Sequence, residues 1–340
     1  MSVRLKRFAA HALAPLGAFR TRGALGFVGG QRLLLLGYHR VLPVTREQDH
    51  AGDIELVSAT PDEFLWQMRY LAERFQPVSF ARIAEALEGG TALPERAVAV
   101  TFDDGFYDLH AHALPVLRQT GMSATVFIAT DYVDNGGAFW FDHVAWALRT
   151  HDLSSIPLPD CVKSQAFDTS TAGRSRLIVS VLRVLKDYDE SQRDRYVTRL
   201  LSAFPIPADV ALGRALTWHE IREMCAAGIE FGSHTASHRC LSRLTGDELH
   251  YELKHSKQRI EAETEQPVVA LAYPFGGKGA FNGEVIVAAR QLGYRVATTY
   301  MPGFNDLHIA DGFQLLRQRV ERDTSRAYFE AIVNLPELFN

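Results

Sequence analysis

Cysteine is scarce in this chain of 340 residues, and the three that occur, Cys161, Cys225 and Cys240, are widely spaced. An odd and scattered set excludes a disulfide framework and a cysteine-based zinc site, and it favours small buried residues. Long apolar runs are missing as well, since no stretch reaches the roughly 18 to 20 continuous apolar residues of a membrane-spanning helix. Dense lysine and arginine clusters are absent and the net charge is -4, so the composition does not indicate a nucleic-acid partner.

Hydrophobic residues make up 47% of the chain, which is enough for a large core. The length fits one large α/β domain or two smaller ones. At the N-terminus, Lys6 and Arg7 precede a short apolar stretch that His11 interrupts and Pro15 closes. This pattern predicts an amphipathic segment over residues 1–30 rather than a cleaved signal, and it favours a cytoplasmic location without a stable membrane span.

Six short apolar runs recur along the chain, separated by stretches with helical patterns. The runs are nearly continuous rather than alternating, which is typical of strands buried on both faces. The alternation of strands and helices predicts a parallel sheet, and roughly five to eight such units fit a barrel or a doubly wound sheet. The predicted strands cover residues 33–38, 98–102, 124–128, 229–232, 268–273 and 294–299.

Several helices have recognisable start signals. Thr60, Thr217 and Thr245 each precede a glutamate by three residues, which is the spacing of a capping box. From about residue 146 to 216 the strand pattern gives way to loop-rich and helical sequence. We therefore predict a single barrel domain over residues 31–335 with a helical insertion at about 146–216.

Two segments far apart in the sequence carry side chains suited to metal-assisted hydrolysis. Asp103 and Asp104 end one predicted strand, and Gly105 allows a sharp turn, so one carboxylate can bind a metal ion while the other faces the substrate. His234 and His238 follow another predicted strand, and their spacing of four places both rings on one side of a helical turn. Alone, each segment is also compatible with an ordinary turn or a surface histidine pair. Their coincidence at strand ends, where α/β folds place active sites, favours a metal site.

The surrounding motifs resemble those of the polysaccharide deacetylases, the NodB-homology group also called carbohydrate esterase family 4. Within that family they are similar to the subgroup that includes the poly-N-acetylglucosamine deacetylases. The similarity runs in family order over about residues 33–335 and is carried by the motifs at 37–41, 101–105, 121–127, 216–218, 234–238 and 271–276.

The resemblance implies a distorted (β/α) barrel, often seven-stranded, that holds Zn²⁺ or another divalent transition metal such as Co²⁺ or Ni²⁺. Carried over to this sequence, it makes Asp104, His234 and His238 the metal ligands and Asp103 the general base. Such a ligand set leaves positions open for water and for the substrate carbonyl, and the ion lowers the pKa of the water whose proton Asp103 takes. The backbone N–H of Phe275 resembles the oxyanion donor of the family.

Two further roles follow from the resemblance less directly. His39 is similar to an early histidine of the subgroup and is predicted to be the general acid, with His308 as the alternative and a buried structural role as another. Ala272 stands where much of the family has an arginine. Arg317 is similar to an arginine on the last strand of the subgroup and would keep Asp103 ionised, unless it forms only a surface salt bridge.

The substrate is expected to be an acetylated carbohydrate. Trp140 and Tyr273 are the aromatic residues predicted to contact its sugar rings. We predict a metal-dependent hydrolase that removes N-acetyl, or alternatively O-acetyl, groups from a carbohydrate or polysaccharide. Two alternatives remain open: an amidohydrolase of the same fold that acts on a cyclic ureide or a formylated sugar lipid, and a carbohydrate-binding domain without catalysis.

Overall fold

The computed structural model describes residues 6, 7, 9, 10, 32–44, 46, 50–163, 168–207, 210 and 212–339. Residues 6, 7, 9 and 10 are helical, and the rest of the predicted amphipathic segment over 1–30 lies outside the described residues. Within the described ranges, no helix is both long and apolar enough to cross a membrane. The domain boundaries stay a prediction.

All six predicted strands form, and all six are parallel neighbours in one sheet. Their order in the sheet is β1 (Arg32–Tyr38), β5 (Ala97–Phe102), β6 (Ala124–Ile128), β7 (Glu230–Ser233), β8 (Ala270–Ala272) and β9 (Val296–Thr298). Each run is almost wholly buried, as expected for strands covered on both faces. The strands are β1 (Arg32–Tyr38), β2 (Arg40–Val41), β3 (Val57–Ala59), β4 (Gln76–Pro77), β5 (Ala97–Phe102), β6 (Ala124–Ile128), β7 (Glu230–Ser233), β8 (Ala270–Ala272), β9 (Val296–Thr298), β10 (Asn305–Asp306) and β11 (Gln318–Arg319).

The sheet curves back on itself near its two ends. β11 pairs in parallel with β1, where Gln318 lies opposite Leu36. Just before β11, Leu315 forms a parallel bridge with Thr298 of β9. The segment that contains β11 therefore joins the last strand of the sheet to the first, while β10 runs antiparallel to β1. This arrangement confirms the predicted distorted (β/α) barrel.

Alternation along β1 divides the core into two layers. Leu34 and Leu36 belong to the larger hydrophobic cluster, which also contains residues of the surrounding helices. Leu33 and Leu35 point to the other face and pack in a separate cluster with Ala97 and with Phe80 at the start of a helix. Because successive side chains of a strand face opposite sides, this division fixes the register of the sheet.

Thirteen α-helices are found within the described residues from Arg32 on, in addition to short 3-10 helices at Ile54–Leu56 and Leu241–Arg243 and a π-helix at Leu109–Ala113. They are α1 (Pro61–Ala72), α2 (Phe80–Leu87), α3 (Leu114–Thr120), α4 (Thr130–Asn135), α5 (Trp140–Thr150), α6 (Asp160–Lys163), α7 (Thr171–Asp187), α8 (Glu190–Ala203), α9 (Trp218–Ala226), α10 (Gly246–Thr264), α11 (Gly283–Gln291), α12 (Arg326–Asn334) and α13 (Pro336–Phe339).

The predicted capping boxes form at two of three helix starts. Thr60 and Thr217 each exchange hydrogen bonds with the glutamate three residues on. The capping box predicted at Thr245 is wrong, because Thr245 makes no side-chain capping bond. The carboxylate of Glu248 instead accepts hydrogen bonds from Arg239 at 3.2 Å. The side chain of Glu248 therefore pairs with Arg239 and not with the backbone at the start of the helix.

Helices α5 to α8 pack on each other between β6 and β7 of the chain. Their apolar faces form a hydrophobic cluster of their own, to which Trp146, Ile178 and Leu200 contribute. Phe106, which follows the Asp-Asp-Gly turn, lies in the same cluster and connects it to the barrel. These helices consequently stand beside the strand ends that carry the site.

Candidate active site

The two aspartates lie in a strained turn at the end of β5. The amide of Asp103 donates a hydrogen bond to the carbonyl of Tyr38 at the end of β1, which continues the strand pairing. Asp104 has a φ of 72° and Gly105 a φ of 79°. A Cβ at Gly105 would lie 2.6 Å from Cγ2 of Ile128, so the turn requires glycine there. The reversal of the backbone directs the two carboxylates differently.

The helical turn predicted for His234 to His238 is wrong. The segment is an irregular loop with left-handed backbone at Thr235, φ 69°, and at His238, φ 59°. Its amides are satisfied by side chains instead of by a helix, because the amides of Ala236 and Ser237 both donate to one carboxylate oxygen of Glu252 at 2.9 Å. The loop still brings the two histidine rings together, with centroids 4.9 Å apart.

Asp104, His234 and His238 meet at one point of the structure. Oδ1 of Asp104 lies 3.6 Å from Nε2 of His234 and 3.3 Å from Nε2 of His238. One ligand-type atom from each of the three residues lies within 4.8 Å of the other two, and all three residues are buried. Residues that are distant in sequence are thus brought together by the ends of β5 and β7 and the loop after β7.

The electrostatics of this cluster suit a metal cation. Nδ1 of His234 lies 2.8 Å from the carbonyl of Ala272, so that nitrogen carries the proton and leaves Nε2 as a free lone pair. Burial lowers the pKa of both histidines, which keeps the rings neutral. Burial and the nearby Asp103 raise the pKa of Asp104, whose Oδ1 has no hydrogen-bond partner among the described residues. Two neutral imidazoles and one carboxylate without a partner are a donor set that zinc accepts.

Asp103 is held by a buried arginine. Arg317 is fully buried and donates from Nη1 to Oδ1 of Asp103 at 2.7 Å and from Nη2 to Oδ2 at 2.8 Å. Its Nε donates to the carbonyl of Thr299 at 2.6 Å. Burial raises the pKa of Asp103, but the guanidinium outweighs it, and the net pKa is lowered. Arg317 therefore lies inside the site and not in a surface salt bridge.

His39 lies in the same cavity as the aspartates and the two histidines. Its amide donates to Oγ of Ser58 at 2.9 Å, and its Nδ1 lies 3.3 Å from the hydroxyl of Tyr300. Burial lowers the pKa of His39 to about 4, against the opposing effect of Asp103. The alternative residue, His308, is exposed and does not line this cavity.

The third motif forms a turn after β8. Phe275 and Gly276 both have left-handed backbone, with φ values of 65° and 59°. A Cβ at Gly276 would lie 2.3 Å from Cβ of Tyr300, so close packing excludes any side chain there. The ring of Phe275 packs edge-on against His238 at 5.2 Å. The turn thus places Phe275 in the lining of the site cavity, with its ring against one candidate metal ligand.

The two predicted sugar-contacting aromatics are placed differently. Tyr273 lines the site cavity, but its ring stacks on Phe281 with centroids 4.4 Å apart and its hydroxyl donates to the carbonyl of Phe313. Trp140 is buried in the hydrophobic cluster of the helices α5 to α8, and it lines a neighbouring cleft instead of the site cavity.

The site cavity has a volume of about 300 Å³ and includes residues that the sequence analysis did not single out. Lys186 reaches it from the end of α7, and Arg319 and Tyr300 line it from the closing segments of the barrel. None of these residues belongs to a recognisable motif. The only feature of the sequence that could have indicated them is that each follows a predicted helix or strand. The cavity combines fixed charges of both signs around the candidate metal ligands.

The sequence profile of the family described as "Polysaccharide deacetylase" matches residues 90–297, which is more than half of the chain. The chain belongs to the polysaccharide deacetylase family. This finding confirms the family and the hydrolase class predicted from the motifs.

Relatives support the family and the fold. Over 72 residues the chain is 40% identical to the poly-beta-1,6-N-acetyl-D-glucosamine N-deacetylase of Escherichia coli K12, a match that covers 21% of this chain and 11% of that protein. The fold is similar to the Streptococcus pyogenes deacetylase PplD in complex with acetate, with a TM-score of 0.60, 19% identity and coverage of 88% and 96%. It is also similar to IcaB from Ammonifex degensii, with a TM-score of 0.56, 19% identity and coverage of 90% and 98%.

Proposed function

We propose that this protein is a metal-dependent hydrolase that removes N-acetyl groups from a polymeric carbohydrate. The observation that carries the proposal is the buried cluster of Asp104, His234 and His238 beside the Asp103–Arg317 pair, in a single cavity. The E. coli relative is named for N-deacetylation of poly-N-acetylglucosamine, which supports an N-acetylated hexosamine as the substrate class.

Asp104, His234 and His238 would hold the metal ion. When bound, the ion would lower the pKa of water and polarise the acyl carbonyl of the substrate. Glu252 fixes the loop that carries the two histidines, because its carboxylate accepts hydrogen bonds from two loop amides. The hydrogen bond between His234 and the carbonyl of Ala272 orients Nε2 toward the site.

Asp103 would accept the proton of the attacking water. The bidentate contact with Arg317 keeps this carboxylate ionised and fixes its orientation, since a planar guanidinium matches both oxygens at once. The contact with Arg317 uses one lone-pair region of each oxygen, and the remaining lone pairs are available to the water. Ala272 leaves the third motif without an arginine, and Arg317, just before β11, would take its place.

The backbone N–H of Phe275 would donate to the oxyanion of the attacked carbonyl, because the left-handed turn after β8 places this residue at the cavity. His39 would protonate the leaving amine. Its pKa of about 4 makes the resting ring neutral, so the proton that it delivers to the amine would first have to reach it from the attacking water, whose proton Asp103 accepts. The Tyr300 hydroxyl lies at Nδ1, which leaves Nε2 for the proton transfer.

The test is hydrolysis of acetylated sugars by the intact, metal-loaded protein. N-acetylglucosamine oligomers are incubated with the enzyme, and the released acetate and the free amine are measured. Matched O-acetylated and N-formylated sugars are tested as substrates in parallel reactions. We expect acetate and amine in equal amounts from the N-acetylated oligomers. Failure to hydrolyse any acetylated sugar would refute the proposal, and cleavage of only the formylated sugars would favour the non-acetyl amide alternative.

A further inference from the structure

A second cleft lies directly beside the site cavity. It has a volume of about 660 Å³ and shares no lining residue with that cavity. Chain neighbours face opposite sides of the wall between them: Trp140 and Ser237 line the cleft, whereas Phe141 and His238 line the site cavity. The rings of Trp140 and Phe141 pack edge to face with centroids 5.6 Å apart, so these two neighbouring rings form part of the wall between the cleft and the site cavity.

Two buried donors of this cleft lack an acceptor. Nε1 of Trp140 and Nε of Arg193 have no hydrogen-bond partner in the described part of the chain, and the two residues are only 8% and 4% exposed. The guanidinium of Arg193 lies 5.0 Å from the centre of the Trp140 ring and supports it from one side. Because buried donors are normally satisfied, this pair of N–H groups indicates a ligand that brings oxygen acceptors.

The charges of the cleft favour a cation. Arg193 and Arg239, the two arginines that line it, both contact Glu190. Asp131 and Asp194 also line the cleft, and the ion pairs of Arg193 and Arg239 are made with the glutamates Glu190 and Glu248 and not with these two aspartates. The acidic groups therefore exceed the cations available to them, in a cleft that also presents N–H donors and an aromatic ring.

We propose that this cleft binds a hexosamine unit whose nitrogen is a free ammonium. The sugar oxygens would accept from Trp140 and Arg193, and the ammonium would donate to the carboxylates of Asp194 and Asp131. An N-acetylated unit has no charge at this nitrogen and would therefore bind the cleft more weakly. The proposal rests on the proposed function, since such a unit is the product of deacetylation, and it gives the enzyme a preference for chains that are already partly deacetylated.

The test is direct binding of two tetrasaccharides of the same linkage to the full chain by titration calorimetry. One is built of glucosamine and the other of glucose, which replaces the ammonium by a hydroxyl, and neither contains an amide that could be hydrolysed. We expect the glucosamine oligomer to bind about tenfold more tightly, because charge-assisted contacts are roughly twice as strong as neutral ones.

Three variants assign the effect to the cleft. Asp194→Asn and Asp131→Asn should each weaken binding of the glucosamine oligomer by about three- to tenfold and change binding of the glucose oligomer by less than about twofold. Trp140→Phe keeps a ring but removes the N–H, and should weaken both ligands. Asp247→Asn makes the same change of charge at an exposed position outside both cavities and serves as the control.

Equal affinity for the two oligomers would overturn the proposal. Equal losses of affinity for the glucosamine oligomer in Asp194→Asn and Asp247→Asn would also overturn it, since the effect would then come from the overall charge of the protein. No acyl group is cleaved in these titrations, so their failure is distinguishable from failure of the deacetylation assay.

Discussion

Breaking the Asp103–Arg317 pair should destabilise the protein more than losing any surface ion pair. In Arg317→Met, a carboxylate that is 3% exposed loses two charge-assisted hydrogen bonds, at 2.7 Å and 2.8 Å, and keeps no cation against it. Removing one partner of a buried ion pair costs about 3–5 kcal/mol, because the other charge remains desolvated. We expect the free energy of unfolding to fall by that amount.

The assay is urea denaturation in the presence of a chelator, so that metal binding does not contribute. Arg317→Met, Asp103→Asn and the double variant form a thermodynamic cycle. The double variant should be less destabilised than the sum of the two single variants, with a coupling of about 2–3 kcal/mol, because it leaves no unpaired charge. Arg82→Met is the control, since Arg82 forms an exposed pair with Glu85 and its loss should cost less than about 1 kcal/mol. Additive effects in the cycle would show that Asp103 and Arg317 do not stabilise each other.

Three further predictions concern the proposed base, a turn glycine and the capping glutamate of α9. Asp103→Asn should retain metal and sugar binding while turnover falls by at least about 10²-fold, measured as acetate release, and an unchanged rate would exclude Asp103 as the base. Gly276→Ala should lower the free energy of unfolding by about 1–3 kcal/mol, because the residue has a φ of 59° and the added Cβ would meet Tyr300; a neutral effect in denaturant melts would contradict this packing. Burial raises the pKa of Glu220, but hydrogen bonds from Arg214 and the start of α9 outweigh it and lower the pKa to about 2. The stability from this carboxylate should therefore be present above about pH 4.5 and lost as the pH falls toward 2, and Glu220→Gln should flatten that part of the curve of unfolding free energy against pH.

The strands and the position of the site could be predicted from the sequence because their signals are local. Continuous apolar runs identify the parallel strands, and the polar residues Asp103, Asp104 and His234 follow them directly. The coincidence of these residues at one edge of the sheet then follows from the topology of parallel strands.

The rest of the site depends on contacts that no local pattern encodes. The loop from His234 to His238 is irregular because the distant Glu252 satisfies its amides, which a spacing of four residues does not reveal. Lys186 enters the cavity only because α5 to α8 pack beside the strand ends. Trp140, which the sequence predicts to contact sugar, lines the neighbouring cleft and not the site cavity, a placement that depends on the packing of α5 to α8.

Metal dependence of deacetylation is the most direct test of the central claim. The protein is stripped with a chelator, and acetate release from N-acetylglucosamine oligomers is measured as Zn²⁺ is added back, in parallel with the Asp104→Ala variant. We expect no activity without metal, full recovery near one ion per chain, and neither tight binding nor recovery in the variant. Full activity in the stripped protein, or normal recovery in Asp104→Ala, would contradict it.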